Sequence, residues 1–142
     1  MKQIILVSFI LLLIGNNIFA QSESYYPKYH NIKKKYKVMD IKQINKAYLV
    51  SVVDDDYYKF TIVSLKTKEK GENKIKKGEE YDFLFYSIYP FPEENIVLIG
   101  GNVVTHNFYI NGKQIKFQGD FDTGILVTTP NLKGLFYNKF NE

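Results

Sequence analysis

Cysteine, arginine and tryptophan are absent from all 142 residues, and the first two absences each close off a chemistry. Without cysteine there is no disulfide to staple the fold, no thiolate nucleophile and no sulfur ligand for zinc. Lipid attachment at a leader-cleavage site is closed off as well, because it requires a cysteine at that site. Arginine is the side chain that grips phosphate or carboxylate with a planar fork, so its absence argues against geometry-specific nucleic-acid recognition. All 19 basic side chains are lysine, against 15 acids. Lysine attracts anions more diffusely, and the wealth of Lys, Asn, Ile, Tyr and Phe fits the drift of an AT-rich genome better than a selected charge pattern.

Histidine is nearly as scarce. His30 and His106 are the only two, too few for a zinc tetrad without carboxylates supplied by the fold. No G-x-S-x-G elbow and no glycine-rich phosphate cradle is present. The sequence therefore predicts no catalytic residues, no metal ligands and no cofactor.

What is present begins with an address. Lys2 precedes an eleven-residue apolar run, Ile4 to Ile14, interrupted only by Ser8. Gly15, Asn16 and Asn17 break the run, and Ala20 supplies a small residue before Gln21. This is the layout of a secretory signal peptide, and the run falls short of the about 20 residues that a spanning helix needs. The expectation is a leader over 1–20, cleaved on export to the periplasm or beyond, with no transmembrane segment after processing. Its removal leaves 122 residues with 18 basic and 15 acidic side chains. That length suits one domain whose hydrophobic core carries the stability.

Residues 21–35 (QSESYYPKYHNIKKK) lack sustained periodicity and predict a flexible N-terminal arm, followed by a single β domain over 36–142. Strands are expected at Tyr36–Ile44, Ala47–Val53, Tyr57–Leu65, Tyr81–Ile88, Ile96–Ile99, Val103–Ile110, Lys113–Phe117 and Ile125–Thr129, with a last edge at Leu135–Tyr137. Asn111-Gly112 between two β runs predicts a tight hairpin, since a type I′ turn needs positive φ at both central positions. Asp54-Asp55-Asp56 reads as an acidic turn rather than a calcium loop, and 66–80 as a charged, solvated connection with room for one helical turn before Gly78. In the third strand Tyr58, Phe60 and Ile62 are expected to face the core, leaving Tyr57, Lys59 and Thr61 outward. The fold class that follows is all-β, a small antiparallel barrel or sandwich.

The run AYLVSVVDDDYYKFTIVSLK, a charged connection and then IKKGEEYDFLF resemble the opening strands and fourth-strand approach of OB-like β-barrels. Ile75, Gly78 and Tyr81 stand as in an I-x-x-G-x-x-Y approach to a barrel strand. The resemblance spans 36–88 and is shared with small exported bacterial proteins that have no assigned activity. It implies an OB-like first half and lends no catalytic residues. By fold analogy it turns attention to the outward face of the third strand, Tyr57, Lys59 and Thr61.

Aromatic and basic residues supply the remaining binding character. Tyr29, Lys33, Lys34 and Lys35 belong to a stretch in which tyrosines and lysines alternate with no acid between. Export makes nucleic acid an unsuitable partner, and points instead to an envelope or extracellular protein, a glycan or another anionic surface. The leading expectation is an exported, non-catalytic β module. Two alternatives remain open: a small hydrolase using His106 with Asp120 or Asp122, and a partner protein that binds by strand addition at an open sheet edge.

Overall fold

The computed structural model describes residues 28–88, 103–120 and 123–140, and these are all-β. The strands are β1 (Ile32–Gln43), β2 (Ala47–Val53), β3 (Lys59–Leu65), β4 (Glu80–Ser87), β5 (Val103–Ile110), β6 (Lys113–Asp120), β7 (Ile125–Thr128), β8 (Leu132–Lys133) and β9 (Phe136–Tyr137). The expected leader, the first part of the expected arm and the expected Ile96–Ile99 strand lie outside the described residues.

Five strands form one mixed sheet in the order β1-β2-β3-β7-β4, and β4 pairs back onto β1. Every pairing is antiparallel except β3 with β7, where Phe60, Thr61 and Ile62 run alongside Ile125, Leu126 and Val127. The expectation of a purely antiparallel sheet is corrected on this point. A parallel pair needs a long crossover, and the chain between β3 and β7 supplies it.

The first strand starts at Ile32, so the expected arm over 21–35 is too long. Residues 32–35 carry no hydropathy alternation to announce a strand. Their backbone nonetheless continues the β1–β4 ladder, with Lys34 opposite Phe83 and Lys35 opposite Asp82. Opposite charges on facing strands, Lys35 with Asp82 and Lys37 with Glu80, favour this register. Even the turn before β1 is engaged. The Asn31 N–H donates to the Phe85 carbonyl at 2.7 Å, and the Ser87 N–H donates to His30 Nδ1 at 3.1 Å. His30 also meets Tyr86 edge-on, which ties this part of the expected arm to β4.

Alternation along the strands places Tyr36, Val38, Val50, Val52, Phe60, Ile62, Phe83 and Phe85 in one buried cluster. Tyr36 stacks on Phe85 with centroids 4.2 Å apart, and its burial pushes the phenol up to about 12 against a small opposing pull from Lys34. A register shift between Val38 and Asp40 sets Asp40 opposite Ser51 and Ile41 opposite Val50, so that Ile41 in place of Asp40 turns to the inner side, the effect expected of a β-bulge. The charged connection between β3 and β4 is anchored rather than wholly solvated, and no helical turn forms in it. Ile75 is buried in the cluster, and its N–H donates to the Leu135 carbonyl at 2.9 Å. Gly78, at φ 88, donates its N–H to the Val38 carbonyl at 2.8 Å. Positive φ is a conformation that glycine adopts without steric cost.

A second cluster lies on the other side of β2 and β3. Ala47, Leu49, Val63 and Leu126 pack there against Phe108, Ile115 and Phe117 of the β5–β6 hairpin. The hairpin turns at Asn111 and Gly112, with φ of 48 and 73, as the Asn-Gly pair predicts. It covers the face that the sequence pattern leaves wet. Thr61 is consequently buried, and its hydroxyl donates to the Thr123 carbonyl. His106 belongs to the same hairpin, 8% exposed and stacked on Phe117 at 4.8 Å. A Cβ at Gly119 would lie 3.0 Å from its Nε2, so glycine there gives the imidazole its room. Burial holds the His106 pKa below its ordinary value.

Candidate binding surface at the β2–β3 turn

The turn joining β2 to β3 is built on one carboxylate. Asp54 Oδ1 accepts the N–H groups of Asp56 and Tyr58, each at 3.0 Å. Its Oδ2 accepts Lys34 Nζ at 2.9 Å, and Asp56 adds a longer ion pair to the same lysine at 3.5 Å. Short Asp side chains are suited to this local bonding, which is why they favour turns. Burial pushes the Asp54 carboxyl up, but the Lys34 hydrogen bond, the two backbone N–H groups and the Lys34 charge outweigh it and hold the pKa below the usual carboxylate value. The hydrogen bond to Asp54 raises Lys34 in return.

The backbone closes the loop twice. The Tyr57 N–H donates to the Asp54 carbonyl at 3.0 Å, and the Asp54 N–H donates to the Tyr58 carbonyl at 3.3 Å. Three residues, Asp55, Asp56 and Tyr57, therefore span the hairpin. In such loops the third residue adopts the left-handed conformation, ordinarily as glycine. Here it is Tyr57, at φ 63. A left-handed L-residue costs roughly 1–2 kcal/mol, and Tyr57 recovers little of that by packing, because it is 86% exposed. Tyr58 beside it is 57% exposed, and Lys28 Nζ lies 5.8 Å from its ring centroid. Tyr29 turns inward and sets its ring edge-on against Phe60 at 5.4 Å.

The structure brings together only some of the residues that the sequence singles out. Tyr57 and Lys34 meet at the turn, with Lys59 exposed at the start of β3, whereas Tyr29 packs inward against the core. Thr61 is removed from the site by the hairpin that buries it. Lys33 reaches toward the Phe140 ring, 5.2 Å from its centroid, and Lys35 faces Asp82 across the ladder. The lysines thus do not form a uniform basic patch: Lys34 is neutralised by Asp54 and Asp56, and Lys35 lies among side chains of both signs. Tyr58 is the residue missed, because strict alternation through Tyr58, Phe60 and Ile62 assigns it inward. The turn extends to Tyr58, and β3 begins only at Lys59.

Among the described residues, no group of three or more His, Asp or Glu side chains is placed to hold a metal ion, and no buried side-chain nitrogen or oxygen lacks a hydrogen-bond partner. No helix among the described residues is long and apolar enough to cross a membrane. Comparison of the chain with known protein families, curated proteins and solved structures finds no match.

Proposed function

We propose that the protein is an exported, non-catalytic β module that docks on an envelope or extracellular protein through the β2–β3 turn. The observation that carries this reading is Tyr57, a large aromatic held in a left-handed turn conformation and left 86% exposed. Backbone strain retained at an exposed position is a reason to look for function there. Two adjacent tyrosines, with Lys28 and the Asp54–Lys34 pair beside them, offer broad contact area and hydroxyls at low entropic cost. Mixed charge around the turn favours a protein surface over a polyanion.

The ring of five strands, with a hairpin inserted ahead of β7, supports an OB-like barrel as the scaffold. On such a scaffold ligands are expected on the β2–β3 face, but here the β5–β6 hairpin occupies it. Binding is thereby displaced to the turn. The stacked, buried His106 ring favours this reading over a hydrolase that would need the imidazole at an open cleft.

Two measurements test the proposal. Intact mass of protein from native cell fractions is expected to begin at Gln21 and to come from the periplasm or medium; material retaining Met1 in the cytosol would defeat the export half. Crosslinking through a photoreactive group at position 58 is expected to yield one dominant envelope or extracellular protein adduct, abolished by Tyr57→Gly. An adduct that survives that substitution unchanged would defeat the docking half.

A further inference from the structure

An open groove of about 490 Å³ lies along the outer side of the β1–β4 pair, between the 72–76 segment and the chain after β9. Its lining carries four lysines (Lys35, Lys74, Lys76, Lys139) and four carboxylates (Glu72, Glu79, Glu80, Asp82). Several of its groups are fixed. The Tyr81 hydroxyl donates to Glu79 Oε2 at 2.7 Å and accepts the Lys76 N–H at 3.0 Å. Lys76 Nζ stands 3.6 Å from Glu79 Oε1. The Asp82 carbonyl accepts Asn131 Nδ2 at 2.7 Å, and the rings of Tyr81 and Tyr137 meet edge-on at 5.0 Å. The groove is therefore a polar trough with an aromatic element, lined by residues of β1, β4 and β9 and by the connection that precedes β4.

We propose that this groove is a second binding site and that its ligand is a neutral oligosaccharide. The chemistry of the lining selects that class. A polyanion would face four carboxylates, a polycation four ammonium groups, and an apolar ligand would have to strip water from all eight charges. A sugar hydroxyl both donates and accepts, so it matches carboxylate and ammonium groups in alternation without leaving a charge unpaired. The C–H faces of a pyranose suit contact with the part of Tyr81 that stays exposed, Tyr137 being buried in the core. The size lies within the range of about 300–1,000 Å³ usual for small-ligand clefts. This site is separate from the β2–β3 turn and does not rest on the docking reading.

The test is amide chemical-shift mapping on the folded protein with three probes: chitohexaose, maltohexaose and a heparin hexasaccharide. At least one neutral probe is expected to shift the Lys35, Tyr81 and Asp82 amides saturably, at about millimolar concentration, while residues 54–58 stay unmoved. Asp82→Asn is expected to weaken that binding about tenfold or more, the effect of losing one charge-assisted hydrogen bond, with the rest of the spectrum unchanged. Tyr57→Gly is expected to leave it intact, which separates the two sites. The proposal is overturned if neither neutral probe moves those amides, or if the heparin fragment binds them more tightly.

Discussion

Two of the tight hairpins among the described residues, β5–β6 and β2–β3, solve the same problem with opposite chemistry. The β5–β6 turn places Asn111 and Gly112 at positive φ, residues that tolerate it. The β2–β3 turn places Tyr57 there, and compensates with the carboxylate of Asp54. Each hairpin displays a tyrosine, Tyr109 at 69% and Tyr57 at 86% exposure. Tyr109, however, precedes its turn in regular strand, where display carries no conformational cost. The difference teaches where to look for selection on function: at the turn whose geometry its residue resists.

Substitutions sharpen that contrast. Asp54→Ala should have the largest effect, a loss of about 2 kcal/mol in chemical denaturation, because two backbone N–H groups and Lys34 lose their acceptor together. Gly112→Ala should cost about 1 kcal/mol, the penalty of forcing a Cβ into a left-handed site. Tyr57→Gly should act in the other direction. Relief of the left-handed strain exceeds the added chain entropy of glycine, for a net gain of about 0.5–1 kcal/mol. A loss of stability at Tyr57→Gly would show that the tyrosine packs in solution and would erase the contrast between the turns.

Two ionisations probe the regions beneath the turns. The folded His106 pKa lies below its unfolded value near 6.5, so the unfolded chain takes up the proton first. Its contribution is complete above that value and is lost as pH falls below it; a His106→Phe variant should flatten the decline of melting temperature on mild acidification. Tyr36 has the opposite sign. Its folded pKa is raised from 10.0 to about 12, so its contribution is complete below 10.0 and is lost between those values as pH rises. Tyr81 and Tyr137 are also raised by burial, so absorbance of tyrosinate at alkaline pH should show several late phenols, with the latest missing in Tyr36→Phe.

The strands were largely legible because their alternation is set by the chain itself. Tyr36 and Val38, Val50 and Val52, Phe83 and Phe85 share a face wherever the strands run. The Asn-Gly hairpin was legible because only its turn chemistry was needed. The second core was not. Its signal existed in Ala47–Val53 and Phe60–Leu65, whose nearly continuous apolar character marks strands covered on both sides. What covers them comes from residues 108–117, and no local pattern announces that contact. The Lys34–Asp54 pair was hidden for a related reason, since it joins β1 to the β2–β3 turn and forms only when the sheet brings them together. Tyr57 was named from the sequence for the wrong geometry: it is outward as a turn residue rather than as part of a strand face.

The parallel seam between β3 and β7 has a consequence for how the molecule comes into being. Thr61 meets Leu126, so the ring stays open until the chain has been synthesised at least as far as β7. Until then β3 presents an unfinished border, in the class of long-range pairings that assemble slowly and are prone to self-association. The β7 strand thus acts as the clasp. Truncation before Ile125 should give a sticky, unclosed fragment rather than a smaller working domain.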